Sequence, residues 1–360
     1  MSASKEQEAV TTGRRLQDRE RAILDALYDH EILLTAQIKV LFFTSTRRCQ
    51  DQMQKLKQLG LVDKDDPSTP VGVGRQNRQW TLTESGIAVV AIGRGKPRSQ
   101  LLRMPRHTWH ASDKMLAHRL GVNRFFVSLV EASLGHSDHG FQKWNPEKYH
   151  TTMVAGAWIK PDGFGRYQHP GGACDFYLEF DRGTEWTRQL EKKLTGYVKV
   201  ALLWAEGELD HFPNVLVVGP DVAREAAFEK ALKNVLDDLE IPPTLAVKLP
   251  FFITGEDIVC EQGILGQIWR QFVPCPEERP LANLFLQQRL SIVELPAIKT
   301  GPYDLGKCLG RQWTDEKTRA HRRLKAMPPT YPSGEPPLMI VEPMVDPVAG
   351  PDGSEGGEAA

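Results

Sequence analysis

The chain has 360 residues, of which 41% are hydrophobic, 8% aromatic and 25% charged. That balance suits a globular protein of two or three domains and excludes a wholly disordered, collagen-like or disulfide-scaffold chain. The formal net charge is -1, and no apolar run approaches the ~18 residues of a transmembrane helix. The polar N-terminus lacks the apolar stretch of a signal peptide. Five scattered cysteines without a CxxC pair predict a reduced, cytoplasmic protein with no Cys-rich zinc site.

The near-zero total conceals an asymmetry. Ala36 to His110 carries 13 Lys+Arg against 5 Asp+Glu, whereas Met327 to Ala360 carries 0 against 6. The first segment suits a polyanion. The second, rich in proline, predicts a disordered acidic tail over 327–360.

After a flexible 1–12, apolar residues at three- and four-residue spacing (Leu16, Ile23, Leu24, Leu27, Tyr28) predict a helix over 13–30. Thr35 is the expected N-cap of a second helix with Ile38, Leu41 and Phe42 inward. Thr44 or Ser45 caps a third helix through Leu59, and Gly60 ends it. A short strand follows at 61–64, then a Pro/Gly/Asp-rich loop, a returning strand at 78–82 and a helix opened by Thr83. This order over 13–92, together with Leu59-Gly60-Leu61-Val62 and Trp80-Thr81-Leu82-Thr83-Glu84-Ser85-Gly86, resembles bacterial winged helix-turn-helix proteins. That resemblance implies a third helix in the DNA major groove and a hairpin on the adjacent backbone. The candidate DNA-binding residues are Arg47, Arg48, Gln50, Gln54 and Lys55 on the third helix, with Arg75 and Arg78 flanking the wing tip. Arg and Gln present the paired donors and acceptors that base edges require. A basic linker without acids spans 93–111.

The second unit, 112–260, opens on a long helix to about Ser133 with a broad apolar face. Strands are expected near 140–144, 156–164 and 173–181. In the last, Phe176, Leu178 and Phe180 alternate with Asp175, Tyr177, Glu179 and Asp181. A helix over 186–204, a buried-type strand at 214–219, a helix from Val222 and a strand at 247–254 follow. Helix, three strands, helix, strand is similar to the core of the PD-(D/E)xK, or restriction-endonuclease-like, nucleases. The expected class is therefore α+β: a winged helix followed by an α/β nuclease-like domain, then a helical extension over 261–326.

Pro161-Asp162 and Glu179-Phe180-Asp181 fall where that resemblance places its acidic motifs. It implies Asp162 and Glu179, with Asp181 as a third carboxylate, as ligands of Mg²⁺, a hard cation that takes carboxylate oxygens. An active nuclease has lysine where this chain has Asp181, so the resemblance implies a second domain without cleavage activity. A migrated lysine, Lys192 or Lys193, is the replacement candidate, with Arg182 a weaker one. The alternative reading is a Mg²⁺-dependent endonuclease or nickase using Asp162, Glu179 and Lys193. A third is a protein-interaction scaffold.

The winged-helix text followed by HRLGVNRFFVSL, KPDGF and FYLEFDRGTEWTRQLEKKLTGY resembles the replication-relaxation family of plasmid and mobile-element proteins. That likeness implies double-stranded DNA as partner, with a homodimer and replication or mobilisation proteins as further partners, and no membrane. Other groups read as structural. Thr184 and Glu185 suit a helix N-terminus. His136 and His139 read as solvated loop histidines, His107 and His110 as linker residues, and His118 as a hydrogen-bonded structural histidine. Short helices are expected at 281–290 and 314–325.

Overall fold

A computed structural model describes residues 11–65, 78–96, 113–154, 156–183, 187–272, 289–298 and 309. Its N-terminal part runs α1 (Asp18–His30), β1 (Leu33–Leu34), α2 (Thr35–Phe42), α3 (Thr46–Gln58), β2 (Val62–Asp65), β3 (Gln79–Leu82) and α4 (Glu84–Gly93). The helix expected over 13–30 is interrupted. Residues 11–15 form a separate short helical segment, and extended Gln17 opens α1, donating its backbone N–H to Glu20 at 2.7 Å. Thr35 is the first residue of α2, not its cap. Its hydroxyl instead accepts from the Trp80 indole at 2.9 Å, tying α2 to β3.

Ser45 caps α3, accepting from the Arg48 N–H at 3.5 Å, and Gly60 at φ +69° turns the chain out of the helix. Thr83 caps α4 the same way through the Gly86 N–H, 3.1 Å away. The three strands pair antiparallel in the order β1-β3-β2. Ile23, Leu27, Ile38, Phe42, Cys49, Met53, Leu56 and Trp80 are buried beneath them.

The second part begins with α5 (Asp113–Ser133) and β4 (Gly140–Pro146), then a small hairpin, β5 (Thr152–Val154) and β6 (Ala157–Ile159). It continues through β7 (Gly163–His169), β8 (Gly172–Phe180), α6 (Thr187–Ala205), β9 (Asn214–Gly219) and α7 (Val222–Asp238). It closes with α8 (Pro243–Ala246), β10 (Phe251–Gly255), α9 (Glu256–Gln262) and β11 (Arg270–Gln271). A six-stranded sheet has the order β11-β10-β9-β8-β7-β4. β4, β7 and β8 pair antiparallel, whereas β8, β9 and β10 are parallel, with α6 and α7 as the crossovers.

The single strand expected over 156–164 is two strands in different sheets. Pro161, which lacks an N–H for a ladder, lies between them, so Asp162 sits just before β7 and not within a strand. The strand expected at 247–254 begins later, at Phe251, because Pro242 and Pro243 open the short α8.

All nine residues of β8 are buried. Its Phe176, Leu178 and Phe180 join a core that includes α5 residues and continues into the N-terminal part. Tyr177 belongs to a second core with α6 and α7. The polar side of the alternation is thus covered by α6 and α7, not by water. The two parts also share polar contacts. His30 stacks on Trp144 at 3.5 Å, and the Asn123 amide donates to the His30 and Ile32 carbonyls at 3.2 and 2.6 Å.

Arg75, His107, His110, Thr184, Glu185 and the expected features over 314–325 and 327–360 lie outside the described residues, as do 281–288. The sheet reaches past residue 260 to β11, and Ile298 bridges back to Ala173. Among the described residues, no helix is long and apolar enough to cross a membrane.

Candidate nucleic-acid interface and carboxylate cluster

α3 is amphipathic because Cys49, Met53 and Leu56 recur on one side and are fully buried. The other side carries Arg47, Arg48, Asp51, Gln54 and Lys55, all exposed, with Gln50 half-buried. Arg47 and Arg48 make no ion pair among the described residues. Lys55 is engaged: its ammonium lies 2.8 Å from Glu20, whose side chain is buried and also accepts from Gln52 at 2.7 Å. Burial opposes ionisation of Glu20, but Lys55, the Gln17 N–H and Gln52 outweigh it and hold the carboxyl below its usual range. Arg78 is half-buried at the base of the β2–β3 hairpin, and its carbonyl accepts from the Thr35 N–H at 2.9 Å.

The candidate catalytic residues meet at the centre of the sheet. The Asp162 N–H donates to the Leu178 carbonyl at 2.9 Å, and Asp162 Oδ2 accepts from the Phe180 N–H at 2.8 Å. These bonds set Asp162 beside Glu179. Lys193, from α6, contacts Glu179 Oε2, and the Tyr197 hydroxyl donates to Glu179 Oε1. Lys193 and Tyr197 reach one carboxylate because four-residue spacing puts them on one helix face. His118 Nε2, from α5, lies 3.0 Å from Asp162 Oδ1. Sequence reading gives His118 only a structural role and Tyr197 only a core role. Their polar partners sit on other elements, so spacing along the chain carries no signal of them.

The two carboxyls titrate apart. Burial pushes Glu179 up to about 8, and neighbouring Asp162 adds to the rise against the opposing Lys193 and Tyr197. Burial also penalises ionised Asp162, but Lys193, His118 and the Phe180 N–H together hold it below the usual carboxylate range. A carboxyl pair split this way can serve as acid and base.

Asp181 does not join them. Its Oδ2 takes the Arg224 Nε–H at 2.5 Å and its Oδ1 the Gly183 N–H at 2.7 Å, so it anchors the end of β8 to α7. Among the described residues it is in no cluster of three metal-ligating groups. Lys192 is exposed, unlike Lys193, and the Arg182 guanidinium donates to the Lys114 carbonyl at 3.2 Å. His136 and His139, read from the sequence as solvated loop residues, stack at 4.0 Å. With Asp138 they bring three ligand-type atoms within 4.8 Å of one another.

The chain is therefore a mixed α and β protein that pairs an exposed basic helix with a buried carboxylate–lysine cluster. The replication-relaxation family model matches residues 24–214, more than half of the chain, and the protein belongs to that family. The matched span holds both α3 and the carboxylate cluster. No curated protein and no solved structure matches the chain.

Proposed function

We propose that the chain binds double-stranded DNA in the replication, relaxation or mobilisation of a plasmid or other mobile element. In this reading 13–92 is a winged helix-turn-helix, 93–111 a basic linker, 112–260 a nuclease-like domain, 261–326 an extension and 327–360 an acidic tail. The observation that carries it is the exposed α3 face, where Arg47 and Arg48 point away from the buried Cys49, Met53 and Leu56. The helix order and antiparallel β2–β3 hairpin support a winged helix, whose third helix enters the major groove. Gln50 and Gln54 suit adenine, the arginines guanine. Lys55 adds less than its charge suggests, because Glu20 already holds it. Arg75 and Arg78 complete the set at the wing. A second copy of the chain and replication or mobilisation proteins are the expected protein partners.

The test is fluorescence anisotropy on a labelled duplex across salt concentrations. Each phosphate neutralised contributes about 0.9 to the slope of log affinity against log salt. Arg47→Glu/Arg48→Glu is expected to abolish measurable binding at physiological salt. A wild-type affinity that ignores salt would refute the reading.

Contact between Lys193 and Glu179 favours a second reading, a Mg²⁺-dependent endonuclease or nickase. Leaving aside the separate β5–β6 hairpin, the order α5, β4, β7, β8, α6, β9, with β8 and β9 parallel, supports a PD-(D/E)xK-like core. Asp162 and Glu179 would hold the ion, since Mg²⁺ is commonly bound by one or two carboxylates plus substrate phosphate. Asp181 is engaged by Arg224 and falls outside this set. Bound Mg²⁺ would polarise the scissile phosphate. His118 and the Phe180 N–H would orient Asp162, and Lys193 would position the attacking water. Supercoiled plasmid incubated with Mg²⁺ or EDTA separates the readings. Metal-dependent nicking lost in Glu179→Ala supports this one, and an intact plasmid under both conditions removes it.

A further inference from the structure

The β5–β6 hairpin is built with two unlike faces. Val154 and Ile159 are buried against the body of the protein. On the opposite face Met153 pairs directly across from Trp158, and these side chains are 48% and 61% exposed. Directly opposite residues share one face of a hairpin, so the two form a single apolar platform. Among the described residues the Trp158 indole makes no ring contact or hydrogen bond.

This platform lies over α6. A Cβ on Gly196 would come 2.3 Å from the Trp158 carbonyl oxygen, so the hairpin backbone approaches the helix where only glycine stands. At 3.6 residues per turn, Arg188, Lys192, Gly196 and Lys199 fall along one side of α6. Arg188, Lys192 and Lys199 are exposed, and among the described residues none makes an ion pair. Glu191, beside Lys192 in sequence, accepts from the Asn234 amide at 2.7 Å, and Glu147 pairs with Lys160 at 3.1 Å. Lys192 and Lys199 thus flank, along the helix, the point where the platform crosses.

We propose that this hairpin and the outer side of α6 form a second nucleic-acid surface, which takes an unpaired DNA strand. Bases stack on Trp158 beside Met153, and Arg188, Lys192 and Lys199 neutralise the phosphates. Aromatic platforms beside a positive track are what single-stranded nucleic acid requires, because every base offers a π-face and every nucleotide a charge. An anionic membrane would also attract lysines and an indole. The apolar platform is, however, only two side chains wide, whereas interfacial helices bury a whole apolar face. The surface goes beyond the duplex-binding reading, since it shares neither residues nor ligand with α3. It also explains why a tryptophan is left exposed next to the Asp162 segment.

The test uses the full chain with labelled oligo(dT), a labelled duplex and vesicles containing anionic lipid. Trp158→Ala is expected to weaken oligo(dT) binding about tenfold and leave duplex affinity unchanged. Trp158→Phe, which keeps a stacking ring, should recover most of that loss. Lys192→Gln/Lys199→Gln should lower the oligo(dT) salt slope by about 1.4, from about 0.7 per phosphate contact on single strands. Arg47→Glu/Arg48→Glu should do the converse, losing duplex binding and keeping oligo(dT), so failure of one surface is read separately from failure of the other. Wild-type oligo(dT) affinity in Trp158→Ala, or no oligo(dT) binding by the wild type, overturns the proposal. Vesicle binding lost in Trp158→Ala with oligo(dT) unaffected also overturns it and reassigns the surface to lipid.

Discussion

Lys193 on α6 contacts Glu179 on β8, and this one contact brings a cation from a helix to the polar side of a buried strand. The carboxylate beside it, Asp162, enters from the segment before β7 and is fixed by a backbone N–H. Three separate elements therefore meet at one point. Burial keeps Glu179 protonated up to about pH 8, so its pairing with Lys193 changes character with pH.

Lys193→Met should accordingly cost more above that pH than below it. With Glu179 ionised, a buried charge loses its partner, at a cost of about 3 kcal/mol. With Glu179 neutral, the loss is a hydrogen bond to Glu179 and the attraction to ionised Asp162, together about 2 kcal/mol. Urea denaturation of wild type and variant at pH 6 and pH 9 measures the difference. Equal costs at both pH values would mean that Glu179 does not change protonation between them.

Asp29 is the hub between the two parts of the chain. Its buried carboxylate accepts from the Arg94 guanidinium at 3.1 and 2.9 Å and from the Tyr149 hydroxyl at 2.8 Å, and Lys148 lies 3.0 Å away. Burial opposes its ionisation, but Lys148 and Arg94 outweigh burial and hold its carboxyl below the usual range. Asp29→Asn leaves Arg94 and Lys148 without that counter-charge. It should destabilise the protein by about 3–5 kcal/mol. Denaturation read at tryptophan fluorescence provides the measurement, and a loss under 1 kcal/mol would show the network to be dispensable.

His30 and His150 are buried in stacks on Trp144 and Phe164, and burial depresses both to about 3. A depressed histidine stabilises the fold above its unfolded value of 6.5, and that stability is lost as pH falls toward 3. Each contributes up to about 1.4 kcal/mol per pH unit in that range. Glu179 and Glu229, raised to about 8 and about 7, slope the opposite way, so the wild-type curve alone does not isolate the histidines. The readout is the difference between wild type and His30→Phe, which keeps a ring on Trp144. Between pH 6.5 and 5 the wild type should lose stability relative to the variant. Parallel curves would exclude a neutral buried His30.

Two glycines mark close approaches. A Cβ on Gly86 would lie 2.1 Å from the Leu61 carbonyl, where α4 meets the strand entry, and Gly196 meets the hairpin carbonyl of Trp158. Gly86→Ala should destabilise by about 1–3 kcal/mol, since backbone must shift to admit the methyl. Gly196→Ala should shift the hairpin instead, detectable as faster amide exchange over Thr152–Ile159. Unchanged exchange there would mean that the hairpin does not depend on this contact.

Much of the architecture was legible in the sequence, because local patterns set it. The apolar spacing of α3, a cap at Thr44 or Ser45, the Gly60 exit, the Thr83 cap and the alternation of β8 each follow from neighbours along the chain. Such signals depend on backbone geometry, which repeats every 3.6 or 2 residues. The choice of Asp162, Glu179 and a lysine was legible as residue types, with Lys192 and Lys193 left open between them. Only packing decided that Lys193 faces Glu179 while Lys192 stays in solvent, and that Arg224 takes Asp181. Pro161 falls inside the single strand expected over 156–164, so neither the break there nor its consequence, a separate hairpin carrying an exposed Trp158, was legible. Which partner a polar side chain meets depends on elements far apart in sequence, and desolvation at that meeting fixes its charge. The sequence therefore determined the elements and the candidate chemistry, and the tertiary structure decided which groups share a site and in which protonation state.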